Sequence, residues 1–464
     1  MTSSTDADLI AGRRPRDTGV VAALLIAVFA FSVLQTVVVP VLPDLRRAFG
    51  VGPTEIAWVL SAFLLTSSVG TVLIGRLGDQ FGKRRLIMIS LAVLAVGTLL
   101  VALAPNFGTA IAGRAVQGLG AATFPLAFGI VRDQLPPERV PITIGTISAI
   151  FGIGFGIGLI VPGPILDRAG WPWVFWLSLA LVIIALVAVF LLVPESATRS
   201  PGRIDLLGGA LLTAGLVALL LGISQVRAWG PVPAVALLIV AIAVLAAFWA
   251  VQRRVSQPMI DVSLLRSRTV AGADLSALIF GFSMYGAFTL VPQLVQTPAG
   301  HGFGFGASAT GAGLFVLPMA ITMVIAGPLA GKLGPRVGFR AILIIACAVA
   351  GTGFVVLAAA HPWAPAVLLG SGVVGVGIGF AFAAMANLVI SAVGRDRVGE
   401  STGINAIMRT IGGAIGAQTA GLIITALGDG DGPTAAGYSV AFTVSAAALG
   451  LALITALLVE RESR

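Results

Sequence analysis

Arg114, Arg409 and Asp274 are ionisable side chains placed inside long apolar runs. A charge at the centre of a bilayer costs about 2.5–3.5 kcal/mol on insertion scales, so such a residue faces a cavity or a partner. Arg114 is followed at helical spacing by Gln117, Ala121 and Pro125, which form one face. That face suits either a hydrogen-bonded strut between helices or a cation that handles substrate or protons. Asp274 heads a polar stripe through Gly281, Tyr285, Thr289, Gln293 and Gln296. Facing lipid the stripe would be costly, so it is expected to line a central cavity. Its carboxylate is a candidate proton carrier. The alternative is a helix-end acid paired with Arg266 or Arg268. Asn405 and Arg409 lie four apart, and Gly412 and Gly416 continue their face. Arg409 there either reaches anionic groups of a substrate or pairs with a carboxylate.

Other chemical kits are thin. There is one cysteine, Cys347, and two histidines, His301 and His361, both in expected short loops. One cysteine permits no internal disulfide and no cysteine-based metal cluster. A P-loop is absent from the sequence, so ATP is not the expected energy source. Gly152, Gly154, Gly156 and Gly158 lie mid-span with no strand before them, which argues against a nucleotide fingerprint. They form two interleaved small-xxx-small pairs suited to close helix packing. A membrane enzyme or a receptor is therefore a remote alternative. The chain is expected to be no enzyme and to hold no cofactor.

The elements that position these residues follow from composition. Of 464 residues, 58% are hydrophobic and only 10% charged, and the mean hydropathy is +1.05. Soluble domains run about 25% charged, which excludes an ordinary soluble enzyme. A membrane β-barrel would show alternating segments of about 10 residues instead of long apolar runs. The expectation is an all-α integral membrane protein. Fourteen runs approach the span length of about 20 residues, with cores near 18–42, 54–75, 85–104, 107–131, 142–166, 173–193, 205–225, 232–251, 269–295, 308–331, 340–360, 363–392, 402–426 and 437–459. Only His361-Pro362 divides the eleventh from the twelfth. The first run is long for a cleaved signal and reads as a retained span.

The pI near 11.2 comes from basic residues flanking the spans, so no nucleic acid is expected. With the N-terminus inside, 22 of the 28 Lys and Arg fall in inner loops and tails, and four in outer ones. That bias predicts both termini in the cytoplasm. Only two residues are lysine, while Ala, Gly, Val and Arg abound, as in a GC-rich bacterial genome, so the bacterial inner membrane is the expected location.

Two loops repeat one pattern 256 residues apart: Gly75-Arg76-Leu77-Gly78-Asp79-Gln80-Phe81-Gly82-Lys83-Arg84 and Gly331-Lys332-Leu333-Gly334-Pro335-Arg336-Val337-Gly338-Phe339-Arg340. A repeat shifted by eight helices predicts two six-helix halves with a helix pair inserted between them. The expected division is an N-tail at 1–17, a six-helix bundle at 18–200, an inserted pair at 201–260 and a second bundle at 261–460.

The first loop resembles the signature loop of the major facilitator superfamily. Gly113-Arg114-Ala115-Val116-Gln117-Gly118-Leu119-Gly120 resembles its fourth-helix motif. Leu34 to Pro43, then Trp58, and Gly403 to Gly413 are similar to segments of the fourteen-span drug:proton antiporters. Gln35 stands where many of those carry an acid, and Gly163-Pro164 is followed by Ile165-Leu166-Asp167 instead of the usual glycine pair. The resemblance implies a major facilitator fold and proton-driven efflux of lipophilic drugs or secondary metabolites by a monomer in the bilayer. It implies a coupling or substrate role for Arg114, and Gln35, Gln117, Asp274, Tyr285, Gln293, Asn405 and Arg409 are the further candidates for coupling or substrate. Gly75, Asp79, Gly82, Lys83 and Arg84 would form a gate, with Asp79 against the start of the thirteenth helix near Glu400. Gly152, Gly156, Gly158, Gly163 and Pro164 would pack and seal the fifth helix. An importer, or a carrier of lipids or anionic metabolites on the same fold, stays open.

Overall fold

The computed structural model describes residues 4–56, 58–196, 205–224, 229–255, 267–394, 397–429 and 432–459. Arg199, Arg203, Arg227, Arg266, Arg395, Arg461 and Arg464, which enter the charge count or the pairing expected for Asp274, lie outside these residues. The described chain is helical, with fourteen apolar helices. They are α1 (Ser4–Thr36), α2 (Trp58–Phe81), α3 (Lys83–Ala102), α4 (Phe107–Gln134), α5 (Val140–Ala169), α6 (Trp171–Leu192) and α7 (Leu206–Ser224), followed by α8 (Pro231–Gln252), α9 (Arg268–Gln296), α10 (Ala309–Val337), α11 (Phe339–Ala360), α12 (Ala364–Ala392), α13 (Val398–Ala426) and α14 (Ala435–Leu458). Thirteen are long and apolar enough to cross a membrane, and α7 holds a shorter apolar stretch, Leu207–Ile223.

Several boundaries differ from the apolar runs. Helix α1 starts at Ser4, inside the stretch read as a tail, and ends at Thr36. A separate short helix, Val38–Phe49, completes the first run. The fourth run is broken by a 3-10 turn at Gly120–Ala122, just after Arg114 and Gln117. Polar caps start four helices: Asn106, Ser267, Ser308 and Thr434 accept backbone N–H groups of α4, α9, α10 and α14, satisfying donors that a helix start leaves free.

The loop repeat carries into three dimensions. Gly82 and Gly338 occupy matching positions and both have positive φ, 108° and 88°. That conformation suits glycine and lets α3 and α11 start directly after α2 and α10. Arg84 donates to the Phe190 carbonyl of α6, and Arg340 donates to the Ala456 and Leu457 carbonyls of α14. Each repeat thus ties its loop to the last helix of its half.

Glycines set the closest helix contacts. A Cβ on Gly145 would collide with the Gly327 carbonyl of α10, and one on Gly152 or Gly156 with Met323 or Ala320 of α10. A Cβ on Gly154 or Gly158 would instead strike Ser32 or Thr36 of α1. The two interleaved pairs therefore serve two partners, α10 across the halves and α1 within its own. Gly163 faces Thr310, and Pro164 is exposed in the last turns of α5. Helices α7 and α8 pack on each other, with α7 also against α2 and α13. Helix α8 leaves Val232, Ile239 and Ile242 exposed, as a lipid-facing surface requires.

Candidate functional site

A cavity of about 510 Å³ lies between the halves, toward the face opposite the two repeated loops. Gln35 and Thr36 from the end of α1, Arg114 from α4, and Tyr285, Gln293 and Gln296 from α9 line it. Apolar surface comes from Leu60, Phe155, Phe288 and Val316. The volume suits a drug-sized ligand. Its floor is a pair of contacts between halves. The Gln35 amide donates to the Tyr285 hydroxyl at 3.0 Å, and Phe155 stacks on Phe288 with ring centroids 3.8 Å apart.

Arg114 is fully buried. Its Nε donates to the Val59 carbonyl at 3.0 Å, and its Nη1 to the Leu34 carbonyl at 3.2 Å and to Gln117 Oε1 at 2.7 Å. The guanidinium lies 4.4 Å from the Phe63 ring centroid, a cation–π distance. Gln117 does not reach the cavity; it donates onward to Thr98 Oγ1. Arg114 is therefore a strut to α1 and α2 and also part of the cavity wall.

The polar stripe on α9 divides. Tyr285, Thr289, Gln293 and Gln296 line the cavity. Gly281 packs against the Arg409 carbonyl. Asp274 lies deeper, 3% exposed, and accepts a 2.9 Å hydrogen bond from Asn405 Nδ2. The expected pairing with Arg268 does not form, because Arg268 is exposed at the helix start while Asp274 points into the α9–α13 contact. Asp274 Oδ2 has no hydrogen-bond partner among the described residues. Arg409 rests on the Phe382 ring at 4.3 Å and the Phe124 ring at 5.7 Å. No carboxylate among the described residues lies within ion-pair distance of Arg409 or Arg114.

The end near the repeated loops is closed. Phe124 and Phe151 of the first half, 5.2 Å apart, meet Phe382 of the second with centroids at 6.4 Å and 5.6 Å. Arg132 donates to the Ile390 carbonyl of α12 and to the Val393 carbonyl just past its end. Asp79 accepts the N–H groups of Gly399 and Glu400 at 3.3 Å and 3.0 Å, a carboxylate at the start of α13 where the helix dipole favours it. Arg76 pairs with Glu400 at 3.1 Å, and Gly75 approaches the Gly399 carbonyl. Lys83 is fully buried between Asp79 at 3.5 Å and Asp133 at 2.8 Å. The Arg84 N–H donates to Glu195, whose carboxylate also occupies the space beside Gly82.

Sequence reasoning missed Asp133, Glu195, Arg132 and the aromatic plug. Asp133 and Arg132 lie at the end of a span, where charge reads as topology. Phe124, Phe151 and Phe382 look like any apolar residue in an apolar run. Lys83, expected as a gate residue of the first repeated loop, is an interior ion-pair member. Among the described residues, no three His, Cys, Asp or Glu side chains gather to hold a metal ion.

The sequence profile of the Major Facilitator Superfamily matches residues 24–417 and 273–464. The chain is 28% identical over 390 residues to Multidrug resistance protein Stp of Mycobacterium tuberculosis, covering 83% of this chain and 72% of that one. It is 25% identical over 415 residues to Multidrug resistance protein 3 of Bacillus subtilis, covering 88% and 79%. It spans 58% of the length of some other mycobacterial relatives. The crystal structure of the human organic anion transporter MFSD10 (TETRAN) superposes with a TM-score of 0.69 at 17% identity, over 95% of this chain and 99% of that one, a likeness of fold. With its profile match over most of the length, this multi-pass membrane chain belongs to the Major Facilitator Superfamily.

Proposed function

We propose that this chain exports lipophilic, drug-like molecules across the bacterial plasma membrane by alternating access, with the proton as coupling ion and no other cofactor. The observation that carries the reading is the cavity between the halves, lined by Arg114, Gln35 and Tyr285 and closed at the other end by contacts that link α2 to α13 and α4 to α12. The names of the relatives support drug efflux. The span count and the similar segments at Leu34–Pro43 and Gly403–Gly413 support the fourteen-span branch.

In this reading the repeated loops and both termini face the cytoplasm, and the cavity faces out. Segments 18–200 and 261–460 rock as two bundles of one monomer, 201–260 is the inserted pair, and 1–17 is the cytoplasmic tail. Opening inward breaks the Asp79 cap, the Arg76–Glu400 pair and the Phe124–Phe382 contact. Asp274, with one unpartnered oxygen, takes the coupling proton. A proton motive force of about 150 mV stores roughly 3.5 kcal/mol per charge, enough for a gradient of a few hundred-fold.

Accumulation of a dye and drug panel in efflux-deficient bacteria tests this. Wild type is expected to lower accumulation of at least one compound, and Arg114→Ala or a protonophore to abolish the effect. Accumulation that never falls overturns export. A fall that ignores the protonophore overturns proton coupling alone.

A further inference from the structure

The charge of the cavity wall bears on what the cavity accepts. Arg114 is the one charged side chain among the described residues that line it. Two backbone carbonyls, one amide oxygen and a ring face surround its guanidinium, and Nη2 has no hydrogen-bond partner. Those groups are dipoles, so the net charge stays uncompensated in a site of low dielectric. The other polar side chains of the wall, among them Gln35, Thr289, Gln293 and Gln296, are neutral. A cationic guest would need a carboxylate. Asp44, next to the lining Pro43, is outside the wall and paired with Arg47, and Asp274 lies deeper, bonded to Asn405.

Arg409 repeats the condition farther along the path. It sits two turns from the cavity-lining Ala417 on α13, caged by Phe124 of one half and Phe382 of the other. Separation of the halves at the loop end parts those two rings and bares the cation there. A guest thus meets an arginine without a carboxylate partner from either side, and the pathway attracts negative charge.

We propose that the substrate is an amphiphilic anion, a carboxylate or sulfonate on a lipophilic body, with its acid group on Arg114 Nη2 and its body against Phe155, Phe288 and Leu60. The direction of movement rests on the export reading above; the charge preference of the cavity does not. A guanidinium and a carboxylate form charge-assisted hydrogen bonds about twice as strong as neutral ones.

The test is equilibrium binding to the purified full chain in phosphatidylcholine nanodiscs, read by tryptophan-to-pyrene energy transfer against empty discs. The probes are pyrenebutyrate, its methyl ester and a pyrenebutyl ammonium. Pyrenebutyrate is expected to bind at least about tenfold tighter than either other probe. Arg114→Gln should erase that preference, and Arg114→Lys should keep part of it. The comparison in unmodified protein stands even where a variant fails to fold. Equal or tighter binding of the ester or the ammonium overturns the proposal. So does displacement of pyrenebutyrate by added phosphatidylglycerol, which would make the pocket a lipid-headgroup site. Uptake into inside-out vesicles is a separate arm: anion-selective binding without transport supports the proposal and overturns the export reading.

Discussion

The Gln35 amide donates to the Tyr285 hydroxyl at 3.0 Å, joining α1 to α9 across 250 positions of sequence. The bond forms the floor of the cavity, and in the alternating-access reading it belongs to the outward-facing arrangement. Residues whose bonds exist in a single state bias the equilibrium between states by the energy of those bonds.

Tyr285→Phe removes one hydroxyl and keeps the ring. A hydrogen bond contributes about 0.5–1.5 kcal/mol net, so in that reading the outward-facing population should fall roughly twofold to twelvefold relative to the alternative. Cysteines introduced at the loop ends of α2 and α13 report this by maleimide labelling. Cys347 is the only native cysteine and is buried, so background is low. Unchanged labelling rates would show that the floor does not set the balance.

Asp79→Asn should act in the same direction through the other end. The neutral amide accepts the Gly399 and Glu400 N–H groups less well and removes the charge that Asp79 sets beside Lys83. Labelling at the loop end is expected to rise and transport to fall. Retention of wild-type transport would rule out Asp79 as a latch.

Lys83→Met should cost stability. Removing the ammonium leaves Asp79 and Asp133 facing each other in the interior, and breaking a buried pair costs about 3–5 kcal/mol. The thermal midpoint in detergent is expected to drop, with partial recovery in Lys83→Met combined with Asp133→Asn. An unchanged midpoint would place Lys83 in contact with water.

Gly145→Ala should disrupt assembly although it adds one methyl, because the Cβ meets the Gly327 carbonyl, a backbone atom that cannot rotate away. Gly450→Ala on α14 meets nothing within 4 Å and is expected to behave as wild type. Size-exclusion profiles of the two variants check the contrast, and a monodisperse Gly145→Ala protein would refute it.

Asp274→Asn keeps a side chain able to bond Asn405 and removes the ionisable carboxyl. In the proton-coupled reading, drug gradients collapse while binding persists. A variant that still concentrates substrate against a protonophore-sensitive gradient assigns the coupling proton elsewhere.

The helices, their number and the repeated loop were legible from residue order because a span is a local sum. About twenty apolar side chains in succession lower the transfer free energy whatever lies beside them. Glycine at 82 and 338 likewise sets a local turn. The division of α1 at Val37 and the 3-10 turn after Arg114 were not legible, since hydropathy does not register a break inside an apolar run.

What the assembled helices decided is which side chains meet. Nothing near Asp274 in sequence announces Asn405, nothing near Arg409 announces Phe382, and nothing near Lys83 announces Asp133. The glycines of α5 showed that something approaches closely. Only their rotation in the bundle sends Gly152 and Gly156 to α10, and Gly154 and Gly158 to α1. Within lipid, helices gain little by hiding apolar surface from one another, so their pairing follows shape and hydrogen bonding. Those depend on the turn of each helix about its axis, which hydropathy leaves free and close packing fixes.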